Sequence, residues 1–247
     1  MAGGVHFRDA AAPDGMRLYA IGDIHGRFDL LRLMHELIET EIARDRPSDW
    51  RIIFLGDYED RGPESRQVID YLAKATERDP RTVTLAGNHD VIFAGFLLDI
   101  SHWEQFMSFG GAETARSYGI ELATSGLAAM RESYLALVEA VPDEHLDFLR
   151  TLELSASFGD LFFCHAGIRP GVPLEKQDSM DLLWIRGEFL NHAGLHPKLI
   201  VHGHTPSGGP EVLGNRVNVD TLAYGSGRLT ALVVEGKEKR FLTAEIR

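Results

Sequence analysis

The sequence predicts an α/β fold built on parallel strands, and three observations carry the prediction. Three apolar runs, each long enough for a buried strand, end in Gly22-Asp23, Gly56-Asp57 and Gly87-Asn88. Each is followed by apolar residues at helical spacing. The three strand–loop–helix units are consecutive, which implies parallel pairing, right-handed crossovers and helices on the sheet faces.

In chain order, residues 17–23 read as the first strand, and Leu30, Leu31, Met34, Leu37, Ile38 and Ile42 then mark one face of a helix over 28–43. Residues 51–57 form the next strand and feed a helix over 64–75, with Pro63 suited to its first turn. Residues 81–87 repeat the pattern before a helix over 89–98. From 99 to 152 helical patterns surround Gly110-Gly111 with no chemistry of their own, a stretch expected to shape substrate access. Residues 160–164, 198–201, 216–219 and 228–234 are predicted strands of a second, more antiparallel sheet. Residues 1–15 lack apolar periodicity and are expected to be flexible. Nothing resembles a linker, so 16–247 is expected to be one catalytic domain.

A chain of 247 residues with 44% hydrophobic and 25% charged content is globular in character. Its net charge of −12 repels polyphosphate backbones at long range, which argues against nucleic acid as a partner. A phosphorylated substrate must then be attracted locally, and bound cations are the obvious source. One cysteine, Cys164, excludes an internal disulfide framework and a cysteine zinc cluster, so a cytoplasmic setting is expected. No segment approaches the ~20 apolar residues that span a bilayer, so no membrane partner is expected.

The ligand-type residues cluster where strands end, and open α/β sheets bind in the crevice beyond the carboxyl ends of their strands. Asp23 and His25, one residue apart, can share one ion, and Asp57 can bridge to a second ion completed by Asn88, His165 and His204. This oxygen and nitrogen set without thiolate suits two divalent ions, manganese first, with iron or zinc as alternatives. Such a pair attracts phosphate and acidifies a water toward a pKa of ~7. His89 can protonate the leaving oxygen while Asp60 orients its imidazole. Arg61 offers a bidentate fork for phosphate, and Arg186 a second clamp.

The segments GDIHG (22–26), GDYEDRG (56–62), GNHD (87–90), CHAG (164–167) and HGHT (202–205), in this order, resemble the calcineurin-like metallophosphoesterases, and among them the phosphoprotein phosphatase (PPP) type. The likeness runs from Tyr19 to about Gly227. It implies a four-layer α/β sandwich of two mixed β-sheets flanked by helices. It also implies serine/threonine protein phosphatase activity through a metal-bridging hydroxide, with a phosphorylated protein or peptide as substrate. Position by position, Asp23, His25, Asp57, Asn88, His165 and His204 match the family's metal ligands and His89 and Asp60 its acid pair. Arg61, Arg186 and Asn88 match groups facing the phosphate. The surroundings of Arg186 resemble only bacterial members, and Ala166 stands where glycine is usual, so regulatory grooves are not carried over.

Blander readings stand beside these. His202 is open as a supporting partner, a ligand or a structural imidazole, while Glu59 and Asp90 suit supporting or solvated positions. Trp103 and Trp184 could flank the crevice or be ordinary core. Cys164-His-Ala-Gly-Ile-Arg169 is one residue short of a cysteine-phosphatase loop, and residues 224–228 lack the glycine of a nucleophile elbow. The alternative activity is hydrolysis of diadenosine tetraphosphate or another dinucleoside polyphosphate. Asp60 and His204-Thr205 favour the protein phosphatase, because dinucleotide enzymes resemble GDLVARG and GHW there. A non-catalytic module is the third reading, opposed by the intact ligand and acid residues.

Overall fold

The computed structural model describes residues 3–246. β1 (Met16–Ile21), α1 (Phe28–Asp45), β2 (Asp49–Phe54), α2 (Ser65–Arg78), β3 (Thr82–Thr84) and α3 (Asn88–Leu98) follow one another, and β1–β2 and β2–β3 pair in parallel. Pro63 falls just outside its helix, since α2 begins at Ser65 behind Glu64. Four helices follow: α4 (Trp103–Phe109), α5 (Gly111–Ser117), α6 (Leu127–Ala140) and α7 (Asp143–Thr151).

The second sheet is built from β4 (Ser155–Phe158), β5 (Leu161–Cys164), β6 (Leu199–His202), β7 (Glu211–Val212) and β8 (Arg216–Asn218), in the order β4-β5-β6-β8-β7. α8 (Ser179–Trp184) and α9 (Gly187–Leu190) lie between β5 and β6 in sequence. Residues 228–234, predicted to join this sheet, belong to the first one. There β9 (Arg228–Glu235), which follows the single turn α10 (Ala223–Ser226), pairs antiparallel with β1, and β10 (Glu238–Glu245) folds back on β9. The reason is burial on both faces: Leu232 and Val234 enter the layer between the sheets, while Leu229, Ala231 and Val233 pack under the helices. Nor is the second sheet the more antiparallel one. Its central pairs, β5–β6 and β6–β8, are parallel and its edges antiparallel, so each sheet mixes two pairings of each kind.

Side-chain alternation along the strands makes the layers. Leu18 and Ala20 of β1 meet Leu161, Phe163, Leu199, Val201 and Val217 between the sheets, whereas Tyr19 and Ile21 face Leu30, Leu31, Met34 and Ile38 of α1. On the far side, Phe162, Cys164 and Ile200 pack against Leu182, Ile185 and Phe189. The result is helices, sheet, sheet, helices. Trimming a side chain of the middle layer, such as Leu199→Ala, is worth about 2–5 kcal/mol.

Of the start expected to be flexible, residues 1 and 2 lie outside the described residues, and within 3–15 several contacts reach the body of the fold. Val5 N–H donates to His196 O, Ala12 N–H to Gly236 O and Asp160 N–H to Ala11 O, and Ala10 and Ala12 are buried. Small residues there let the chain lie flat across the open ends of both sheets. Among the described residues, no helix is long and apolar enough to cross a membrane.

Candidate metal centre

Parallel pairing of β1 and β2 brings Ile21 level with Phe54, so the loops that follow start side by side. Three backbone bonds then fasten them: Ile24 and His25 N–H donate to Asp57 O, and Gly26 N–H to Tyr58 O. β5 and β6 deliver His165 and His204 to the same rim. The backbone is bent hard here. His25, Asp57, Asp60, Arg61, His204 and Leu222 all have positive φ between 46° and 66°, a conformation costing of order 1–3 kcal/mol each. Two glycines make room for carboxylates. A Cβ at Gly87 would lie 2.1 Å from Asp57 Oδ1, and one at Gly203 would lie 2.0 Å from Asp23 Oδ1.

Asp57 is the centre of the cluster. Its Oδ1 lies 3.4 Å from His165 Nε2, while its Oδ2 lies 3.6 Å from His25 Nε2 and 3.8 Å from His89 Nε2. Two groups of three therefore share one carboxylate: His25, Asp57 and His89 on one side, and Asp57, His165 and His204 on the other, each with candidate ligand atoms within 4.8 Å. Asn88 joins the second, its Oδ1 being 3.0 Å from His165 Nε2. All are buried. Burial alone would favour the neutral acid of Asp57, but His165, His89 and His25 hold it well below the usual carboxylate range.

The donor set fits cations. His25 Nδ1 lies 2.8 Å from Glu59 O and His165 Nδ1 lies 2.9 Å from Leu55 O. A carbonyl only accepts, so each Nδ1 carries hydrogen and each neutral ring turns its Nε2 lone pair inward. The lone pair of His165 meets two further acceptors, Asn88 Oδ1 and Asp57 Oδ1, with His204 Nδ1 3.1 Å away. Only a proton or a metal ion can sit among them. Burial lowers the His165 pKa, but Asp57 and Asp23 overcome it and push it up to about 9, the mark of a cavity that seeks positive charge. Burial instead lowers His25 to about 3, leaving its nitrogen free as a ligand.

Asp23 lies beside the second group, where its carboxylate accepts the His204 N–H at 3.1 and 3.2 Å. Burial, then Asp220, raises its pKa well above the usual range. Asp220, which sequence reasoning passed over, is itself buried and pushed up to about 6. Neither has an ion pair among the described residues. The only hint of Asp220 was its place at the end of a predicted strand.

His89 and Asp60 meet as expected, with Nδ1 2.7 Å from Oδ2, which leaves Nε2 facing Asp57. Burial works against the imidazolium, but Asp57 and Asp60 outweigh it and the His89 pKa is raised. Thr114 holds the dyad: its hydroxyl donates to Asp60 Oδ1 at 2.7 Å and accepts the Asp60 N–H at 2.8 Å. The 99–152 stretch thus contributes directly, where the sequence showed no chemistry. Arg61 places one guanidinium nitrogen 3.3 Å from His25 Nε2 and the other 3.1 Å from His89 Nε2, and Arg186 Nε lies 3.1 Å from His204 Nε2.

Around this cluster, Asp90 accepts three N–H bonds, from Gly87, Asp57 and Tyr58, and so ties the second ligand loop to the third. Glu59 is fully buried, and as a carboxylate its oxygens have no partner. Burial, then Asp90, pushes its pKa well up, and the neutral acid can donate to Asp90. His202 turns away from the cluster, its Nδ1 on Gly203 O and its Nε2 on Arg216. Trp184 lies by His204, with ring centroids 6.2 Å apart, whereas Trp103 is core beside Phe96. A cavity of about 670 Å³ between residues 155–162 and 168–175 shares no residue with this centre.

Two mixed sheets between helices, with paired histidine and aspartate groups at their common rim, define a metallophosphoesterase. The sequence profile of the calcineurin-like phosphoesterases matches residues 16–234, and the chain belongs to that family. It is 28% identical over 235 residues to the bis(5'-nucleosyl)-tetraphosphatase PrpE [asymmetrical] of Anoxybacillus flavithermus, covering 86% of this chain and 88% of that one. The fold is similar to a crystal structure provisionally named a diadenosine tetraphosphatase, with a TM-score of 0.65 at 18% identity, covering 95% of this chain and 98% of that one. A protein serine/threonine phosphatase from Saccharomyces cerevisiae gives 0.52 at 15%, covering 98% and 86%.

Proposed function

We propose that this phosphoesterase hydrolyses dinucleoside tetraphosphates asymmetrically, releasing a nucleoside monophosphate and a nucleoside triphosphate. The observation that carries the reading is similarity across most of its length to relatives of that name. It reverses the order of the two readings that Asp60 and His204-Thr205 favoured.

Asp23, His25, Asp57, Asn88, His165 and His204 would hold two divalent ions, manganese by preference, with Asp23 also anchoring the His204 backbone. Bound there, the ions supply positive charge that draws in the polyphosphate and a nucleophile available near neutral pH. The chain's own groups do the rest. Arg61 and Arg186 converge on the same space and clamp non-bridging oxygens. Protonated His89 has a donor on each nitrogen and cannot accept from Arg61, which frees that fork for phosphate. As the oxygen of a water that has released a proton to solvent bonds to phosphorus and the bond to the leaving oxygen breaks, His89 Nε2 passes its own proton to that leaving oxygen while Asp60 steadies Nδ1.

The same dyad favours a second reading, phosphoserine and phosphothreonine hydrolysis, because an alkoxide leaving group needs an acid more than a phosphate does. Kinetics on a dinucleoside tetraphosphate and a phosphoserine peptide, with one manganese-loaded preparation, decide between them. Higher kcat/KM on the dinucleotide with unequal products is expected; a clear preference for the peptide would sink the first reading.

A further inference from the structure

Every described phenylalanine, tryptophan and tyrosine is buried or half-buried except one, Tyr224, which is 37% exposed. It stands at the rim of the metal centre. Its ring meets the edge of His25 at 5.4 Å and 87°, and the Arg61 guanidinium lies 5.0 Å from its centroid. The turn that presents it is strained and held from both sides. Leu222 is left-handed, its N–H donates to Asp220 Oδ1 at 2.9 Å, and Arg27 donates to Ala223 O at 3.0 Å. A leucine in that conformation persists only where its surroundings over-determine it, and such strain gathers at ligand clamps.

The other flank is different. Phe109 meets His89 edgewise at 5.0 Å and Trp184 at 5.6 Å, and Trp184 meets His204, so those half-buried rings are already partnered. The Tyr224 hydroxyl makes no hydrogen bond with described residues. What sets Tyr224 apart from these half-buried rings is its exposure, beside an arginine placed to meet phosphate.

We propose that Tyr224 is the specificity-determining platform of this site, stacking on the nucleobase of the nucleoside carried by the attacked phosphate. Every base has a π-face, so such a platform prefers nucleotides over other phosphates without reading one base. Arg61 serves both halves of the ligand, its fork toward phosphate and its position over Tyr224 keeping the ring in place. The assignment rests on the dinucleotide reading above.

Titration calorimetry of the manganese-loaded protein with AMP and with ribose 5-phosphate, which differ in the base alone, tests the platform separately from turnover. AMP should bind about 10-fold more tightly, as expected for one stacked base. Tyr224→Leu should bring AMP down to ribose 5-phosphate, whose affinity serves as the folding control, and Tyr224→Phe should keep the difference. Equal affinities in the unaltered protein, or an AMP preference that survives Tyr224→Leu, would overturn the proposal. Independent of any variant, the adenine protons of bound AMP should shift upfield in NMR spectra; no shift also overturns it. A protein that keeps a Tyr224-dependent AMP preference but never cleaves a dinucleoside tetraphosphate retains the platform and loses the substrate reading. Cleavage without that preference does the reverse.

Discussion

The two histidine groups that share Asp57 differ in what stands behind them. On the His25 and His89 side, Asp60, Thr114 and Arg61 surround an imidazole whose pKa is raised, a setting for moving a proton. On the His165 and His204 side the His165 pKa is raised as well, but the rings meet a backbone carbonyl, Asn88, Asp57 and Arg186 rather than an orienting dyad, a setting for holding charge. One carboxylate can therefore serve two kinds of chemistry, because the protein differentiates its two oxygens by their neighbours. Proton transfer and cation binding should then separate under mutation.

Asp57→Asn should have the largest effect, since both groups lose their common member. Metal analysis of the purified variant should show both ions depleted, with affinity down by more than the ~10–100-fold typical of a supporting partner. Retention of two ions would break the comparison at its centre. His165→Asn should empty chiefly one side, leaving close to one ion per chain. His89→Asn should lower kcat by about 10²–10⁴-fold while metal content stays the same. Because the His89 pKa is raised, the acid form persists past the ordinary imidazole range and is lost only as pH rises through the raised value. The alkaline fall of kcat in the parent should accordingly flatten in His89→Asn. Equal metal loss in His89→Asn and His165→Asn would erase the distinction between the sides. Thr114→Val should act more gently, about 10-fold on kcat, by removing a hydrogen bond to a charged group worth about 1.5–3 kcal/mol. Arg186→Ala should be smallest on stability, within about 0.5 kcal/mol because it is exposed, and should raise KM for phosphorylated substrates.

The same contrast explains what the sequence could reveal. Loops after β1, β2 and β3 were legible because local rules place them: an apolar run ends, glycine permits a turn, and a helix begins. The pairing of β9 with β1 was not, since its partners lie 210 or more positions apart, as Ile21 and Ala231 do, beyond any local signal. Thr114 escaped for a similar reason. It looks like an ordinary helical residue until α5 is folded against the second ligand loop. Asp23 was legible as a buried carboxylate beside glycine, but its commitment to the His204 N–H depends on how the second sheet lies over the first. The docking of residues 3–15 likewise depends on surfaces of both sheets that no periodicity in the segment itself records.

Gly87 and Gly203 carry a final consequence for how this enzyme can change over time. Each carboxylate they accommodate occupies the space where an alanine methyl would be, so even the smallest substitution evicts Asp57 or Asp23. A Cβ at Gly87 would also lie 2.3 Å from the Asp57 backbone nitrogen, so that variant should disturb the ligand loop as well as the carboxylate, whereas the Gly203 variant meets chiefly the Asp23 side chain. Lineages can remodel the rim around the metal centre to suit new substrates, yet these two positions leave them no intermediate step.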